Sequence, residues 1–160
     1  MRAIYPGTFD PVTYGHIDLI RRARGIFSEL VVAVGHNPNK HPLFTVEERV
    51  ALLRRATKGL RGVRVAPFDS LVVEYARRQR CRVIVRGLRM LSDFEFEFQM
   101  ALTNRKLSET IETIFMMPSE SYAYISARLI KEAAALGADV SPFVPSFVAA
   151  ALRRKLAGGH

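Results

Sequence analysis

Leu30-Val31-Val32-Ala33-Val34 offers no polar face. A strand built from such a run must be covered on both sides, and the usual cover is a layer of helices above and below a parallel sheet. The rest of the chain repeats the theme. Ala3 to Tyr5 reads as a short strand ended by Pro6-Gly7, and Val63 to Ala66, Arg82 to Val85 and Thr113 to Met116 read as three more. Helical patterns lie between them. From His16 to Phe27 the apolar positions Leu19, Ile20, Ala23, Ile26 and Phe27 follow helical spacing. Thr45 opens a helix with Glu48 as its capping-box partner, and Ser92 with Glu95 reads as the same device before the helix Asp93 to Leu107. Leu71 to Arg78, Ser126 to Leu136, and Pro145 to Leu156 complete the set.

This alternation predicts an α/β fold: a Rossmann-like, doubly wound, five-stranded parallel sheet with C-terminal helices. One domain is expected over residues 1–157, with Gly158-Gly159-His160 left as an expression remnant or flexible tail. Ligands in such sheets bind beyond the carboxyl ends of the strands, where the strand order reverses. That singles out the loops Pro6–Tyr14, Gly35–Phe44, Gly87–Leu91 and Pro118–Ile125.

Apolar residues make up 49% of the chain, enough for a substantial core, which argues against disorder. No run approaches the ~18 apolar residues of a membrane span, and MRAIYPGTFD lacks the apolar region of a signal peptide. A soluble, cytoplasmic protein without a membrane partner is expected. The single Cys81 excludes an internal disulfide and a multi-cysteine metal site, and beside Val83, Ile84 and Val85 it reads as a buried thiol. A net charge of +9 favours anionic partners, whether nucleic acid, membrane surface or phosphorylated small molecules. The clusters Arg21-Arg22-Arg24, Arg77-Arg78-Arg80-Arg82 and Arg153-Arg154-Lys155 read as solvated helix faces. In the Asp93–Leu107 helix, Phe94, Phe98, Ala101 and Leu102 share one face while Phe96, Met100 and Leu107 share another. Two stripes predict burial on both sides, against the sheet and against either a second copy or a neighbouring helix.

The first loop, Thr8 to His16, runs from the first strand to the first helix. A helix start offers free N–H groups and partial positive charge, a natural anion site. Gly15 permits close backbone approach, His16 can reach a phosphate, and Thr8 adds a hydroxyl. Neither a Walker A sequence nor GxGxxG is present, so the phosphate-binding design is a different one.

Thr13-Tyr14-Gly15-His16 matches the Thr-x-Gly-His signature of the small nucleotidylyltransferases, and Tyr5-Pro6-Gly7-Thr8-Phe9-Asp10-Pro11 resembles its phosphopantetheine adenylyltransferase form. Further segments are similar to that family: Pro38-Asn39-Lys40 with Phe44 to Arg49, Val85 to Arg89 with Asp93-Phe94-Glu95, and Ile125-Ser126 before Lys131-Glu132. The resemblance spans Arg2 to about Leu156. It implies transfer of AMP from ATP to 4′-phosphopantetheine by direct in-line displacement, with Mg²⁺ arriving on ATP and no protein metal ligands. It also implies the roles of single residues. His16 would donate to the α-phosphate, and Thr8, Lys40 and Arg89 complete the catalytic set. Thr8, Lys40, Val72 and Arg86 would hold the acceptor. The ATP site would comprise Thr8, Phe9, His16, Gly87, Leu88, Arg89, Glu97, Tyr122, Ala123, Tyr124, Ile125, Ser126, Ala127 and Arg128. A homohexamer and feedback inhibition by coenzyme A are further family traits. Two departures stand out: Tyr14 where the family often has Asn, and Ala127-Arg128 in place of two serines.

Two other readings compete. A sister enzyme could use nicotinamide mononucleotide, or CTP with glycerol phosphate, but Lys40, Val72 and Arg86 speak for phosphopantetheine. A nucleic-acid-binding module would explain the charge but not the Thr-x-Gly-His loop, and stacking aromatics interleaved with arginine are missing. No nucleic-acid partner is therefore expected.

Overall fold

The apolar run forms the centre of strand β2 (Glu29–Gly35), with Leu30 through Val34 all buried. The computed structural model describes residues 1–158, apart from the side chains of Pro38, Leu91 and Ser92. In it β2 lies between β1 (Arg2–Gly7) and β3 (Val63–Phe68), while the other side of β1 receives β4 (Val83–Gly87) and then β5 (Glu112–Met116). The order is β3-β2-β1-β4-β5 and every pairing is parallel, the doubly wound arrangement that the alternation demanded.

The two-residue period of the strands sends alternate side chains to opposite faces. Tyr5, Leu30, Val32, Val34 and Val85 join a core with helices α1 (Tyr14–Ile26), α2 (Val46–Ala56) and, near the C-terminus, α6 (Ser146–Ala157). Ile4, Val31, Ala33 and Ile84 face the other way, onto Val73, Tyr75 and Ala76 of α3 (Val72–Arg78), where Cys81 is buried with them. The chain also forms α4 (Leu91–Leu107) after β4 and α5 (Ala127–Ala135) after β5. Lys155 of α6 bonds both carboxylate oxygens of Glu48, at 2.9 Å each, while Glu48 also closes the Thr45 capping box at the head of α2.

Several boundaries differ from the sequence reading. β1 does not end at Pro6-Gly7; both residues stay in register with β2, opposite Ala33 and Val34. Proline is tolerated in this central strand because pairing with β4 has stopped at Ile4 and Ile84. α1 begins at Tyr14 rather than His16, since Thr13 is its cap. α4 begins at Leu91, with Met90 at the cap position and no side-chain cap, so Ser92 falls inside the helix and its side chain lies outside the described set. Gly158, assigned to the tail, caps α6; Gly159 and His160 lie outside the described residues.

The largest difference concerns α4. Within the chain neither apolar stripe is covered: Phe94, Phe98, Leu102 and Leu107 are each about half exposed, and Phe96 is 65% exposed. The residues that α4 buries are polar, Glu97 and Asn104. α3 and β5 touch α4, but they leave these apolar side chains open, and the inner side of the helix borders a cleft.

Candidate active site

Beyond Ile4 and Ile84 the strands β1 and β4 separate, while β1 and β2 remain paired as far as Gly7 and Val34. The strand order reverses at this gap, so a crevice opens there. Arg86, near the end of β4, fills its floor. Its Nη1 donates to the Pro6 carbonyl at 2.7 Å, and its Nε and Nη2 grip the two oxygens of Glu97, the Nε bond measuring 2.9 Å. Burial works against the Arg86 charge, but the hydrogen bonds and the charge of Glu97 outweigh it and raise its pKa. Two residues assigned to different subsites thus form one bidentate pair.

The cleft above this floor measures about 1080 Å³, at the upper end for a small-molecule site. All four loops singled out from the sequence contribute to its walls. So do most of the expected site residues: Thr8, Phe9, His16, Lys40, Val72, Arg86, Gly87, Arg89, Glu97, Tyr122, Ile125, Ser126, Ala127 and Arg128. Leu88, Ala123 and Tyr124 do not line it; Leu88 is held by its N–H on the Met116 carbonyl, and Tyr124 turns edge-on to Phe143.

His16 is fixed by local structure. Thr13 and His16 form a reciprocal capping box: the His16 N–H donates to Thr13 Oγ1 at 3.3 Å, and the Thr13 N–H donates to His16 Nδ1 at 3.0 Å. Because Nδ1 accepts, the proton of the neutral ring sits on Nε2, which makes Nε2 a donor. The ring stands edge-on to Phe9 at 4.9 Å, and Phe9 stands edge-on to Tyr5 at 5.2 Å. Phe9 reaches this position through a left-handed backbone, φ 52°, in which its ring covers Gly7 so closely that a Cβ there would clash at 2.9 Å. Desolvation, with the charges of Arg89 and Arg86 adding to it, pushes the His16 pKa down to about 3.

Below about pH 6.5 the unfolded chain takes up a proton at His16, while the folded chain resists until about pH 3, so this site removes stability as pH falls through that window. In ¹⁵N-detected NMR of the ligand-free protein, His16 should keep the neutral Nε2–H pattern down to roughly pH 4. A titration centred near 6.5 would refute this environment.

The remaining cations come from separate elements. Lys40 ends a 3₁₀ turn, Pro38–Lys40, and its side chain has no hydrogen bond or ion pair among the described residues. Arg89 leaves the loop after β4 and crosses to the Ile125 carbonyl, with Asp93 3.6 Å from its Nε. It thereby ties the segment after β5 to the switch point. That segment is also anchored from α1, where Asp18 accepts from the Ser119 hydroxyl at 2.7 Å and Arg22 donates to Met117 O. Ser126 caps α5 by accepting from the Leu129 N–H at 3.4 Å, as its position suggested. Arg128 is exposed and pairs with Glu132 at 3.3 Å. Tyr14 lies beside Tyr122, ring centroids 6.2 Å apart, so this departure from the family pattern packs against the cleft wall.

Sequence reasoning missed two buried charges. Arg49 is 1% exposed and spends its guanidinium on three carbonyls: Thr8 at 2.8 Å, Gly35 at 2.9 Å and Phe44 at 3.1 Å. Desolvation lowers its pKa, with Asp10 and Glu47 opposing. Asp10 is 4% exposed and accepts from the backbone N–H groups of Leu43 and Phe44 and from Lys131. Both join the loop after β1 to the loop that carries Lys40. A signal for Arg49 was available, because it shares the apolar face of α2 with Val46, Val50 and Leu53.

Residues 4–133 match the cytidylyltransferase-like family. A phosphopantetheine adenylyltransferase of Caldanaerobacter subterraneus subsp. tengcongensis is 54% identical over 153 residues, covering 96% of this chain and 96% of the relative. The enzyme of the same name from Alkalilimnicola ehrlichii is 52% identical, covering 98% of this chain and 91% of the relative. Among solved structures, a lipopolysaccharide core biosynthesis protein from Thermoplasma volcanium superimposes with a TM-score of 0.58 at 21% identity, over 75% of this chain and 98% of that one. At that identity the likeness concerns the fold.

Proposed function

The chain belongs to the phosphopantetheine adenylyltransferase family, and we propose that its cleft works through His16, Thr8, Lys40 and Arg89. The enzyme transfers AMP from ATP to 4′-phosphopantetheine, giving dephospho-coenzyme A and pyrophosphate. An oxygen of the acceptor phosphate attacks the α-phosphorus, the bond from that phosphorus to the bridging oxygen breaks, and pyrophosphate leaves. Catalysis then rests on placement and on stabilising charge.

The observation that carries this reading is the neutral His16 with its donor on Nε2, set in a cleft that Lys40, Arg86 and Arg89 also line. Nε2–H donates to the α-phosphate oxygens as negative charge builds there. Thr8 and Lys40 hold the attacking phosphate, with Val72 beside the pantetheine arm. Arg86, immobilised by Glu97 and Pro6 O, offers its remaining N–H groups to the acceptor. Arg89 meets the outer phosphates. Phe9, Gly87, Glu97, Tyr122 and the segment Ile125 to Arg128 form the surroundings of ATP, with Leu88, Ala123 and Tyr124 behind that wall rather than in it, and Ser126 adds a hydroxyl at a helix start.

Mg²⁺ would enter with ATP, held by phosphate oxygens and water, and would offset the charge of the phosphates. The cleft fits that arrangement, because its most buried carboxylate, Asp10, is already spent on Leu43, Phe44 and Lys131. The exposed stripe of α4, with Phe94 and Phe98 stacked at 5.8 Å, supports an interface between copies, and the homohexamer is what the family resemblance adds to it. Feedback inhibition by coenzyme A fits a cleft that must already hold both the pantetheine arm and a nucleotide. No helix among the described residues is long and apolar enough to cross a membrane, and the ATP requirement favours a cytoplasmic location.

Pyrophosphate release from Mg²⁺–ATP, with 4′-phosphopantetheine, nicotinamide mononucleotide and glycerol 3-phosphate supplied separately, tests the assignment. Release with phosphopantetheine alone is expected. Turnover with another acceptor would overturn the roles given to Lys40, Val72 and Arg86.

A further inference from the structure

We propose that Asp10 is a positioning residue for the transfer, bonding Leu43, Phe44 and Lys131 together so that both walls of the cleft are set against the Thr8 loop. This rests on the function proposed above. Asp10 lies between Thr8 and His16, and its carboxylate is almost fully buried. Oδ1 accepts from the Phe44 N–H at 2.9 Å; Oδ2 accepts from the Leu43 N–H at 2.8 Å and from Lys131 Nζ at 2.7 Å.

Each partner belongs to a different wall. Leu43 and Phe44 end the segment that starts at Gly35 and carries Lys40, the acceptor side. Lys131 belongs to α5, whose first turn and cap, Ser126 to Arg128, line the nucleotide side. A carboxylate is the one group of this size that can accept from two N–H groups and an ammonium at once. Asn has a single acceptor oxygen and would turn an N–H₂ toward one of these donors. Burying a carboxylate is costly unless every lone pair it turns inward is used, and here the interior partners are all supplied. A misplacement of about 1 Å between two phosphates is enough to slow an in-line displacement by about 10²-fold.

The competing role for Lys131 is direct contact with a phosphate, since it also lines the cleft. Steady-state kinetics on the full chain with Mg²⁺–ATP and phosphopantetheine separates the two. Lys131→Met should lower kcat about tenfold or more with the KM for ATP within about threefold, and Lys131→Arg should recover most of the loss. In an Asp10→Asn background, Lys131→Met should add little, because the link is already broken. A higher KM for ATP at unchanged kcat, or losses that multiply in the double variant, would overturn the proposal. So would a lowered Tm that Lys131→Arg restores without restoring kcat. If Asp10→Asn fails to fold, the kcat-against-KM split of the two Lys131 variants still decides. Failure of the underlying function would look different: the wild-type protein itself would be silent with phosphopantetheine.

Discussion

His16→Ala should lower kcat by about 10²-fold or more and leave the affinity for ATP nearly unchanged. The expectation follows from the tautomer. The Thr13 N–H occupies Nδ1, burial keeps the ring neutral, and only Nε2–H remains to meet charge that develops in the transition state. A single preorganised donor of this kind contributes roughly 3–4 kcal/mol to a barrier, whereas its bond to ground-state ATP is largely an exchange for water. The same ring accepts the Thr13 N–H, so alanine also removes that half of the capping box while the Thr13 cap itself remains, at a cost of about 0.5–1.5 kcal/mol. His16→Glu separates the two effects. Glutamate is the ordinary partner in a capping box, so its carboxylate can take the Thr13 N–H, but it offers no donor and repels phosphate. Stability should return to near the wild-type value while kcat stays low. If His16→Glu restored turnover along with stability, His16 would be a cap and nothing more.

That double duty shows where the sequence speaks and where it falls silent. The Thr-x-Gly-His loop is legible because its parts are contiguous: a strand end, a glycine and a helix start within one short segment. The reciprocal cap was legible in principle, since Thr13 and His16 have capping-box spacing, but histidine stands where glutamate or glutamine is looked for. The strands were found because burial on both faces leaves unbroken apolar runs. α4 misled for the opposite reason. Helical periodicity reports which residues share a face, not which face is buried, and here polar Glu97 and Asn104 turn inward to a cleft, with Phe96 at its wall, while Phe94 and Phe98 stay about half exposed. The pairing of Arg86 with Glu97, and the reach of Arg89 to Ile125, join residues 11 and 36 positions apart through side-chain geometry that no local pattern encodes.

Arg49→Leu should destabilise the fold by about 3 kcal/mol or more, a fall in Tm of roughly 6–12 °C for a chain of this size. Two terms compete. Removing a buried cation with no ion-pair partner among the described residues relieves desolvation, which already lowers the pKa of Arg49. Against that, leucine leaves the carbonyls of Thr8, Gly35 and Phe44 without this donor; a fully buried orphan such as Phe44 O costs about 1–3 kcal/mol, and the part-buried Thr8 and Gly35 carbonyls add smaller amounts. Three orphans outweigh the relief. Arg49→Lys separates the terms, because it keeps the charge but one ammonium cannot span three carbonyls as a planar fork does. If hydrogen bonding dominates, lysine should recover only part of the loss; if charge burial dominates, leucine should be the more stable of the two. Activity adds a second readout, since Thr8 and Gly35 mark the roots of the phosphate-holding loop and the Lys40 loop. kcat in Arg49→Lys should fall even at temperatures where the protein is fully folded, because the guanidinium is what sets the two roots at a fixed separation. A Tm within about 2 °C of wild type in both variants would mean that water satisfies these carbonyls and that Arg49 holds nothing in place.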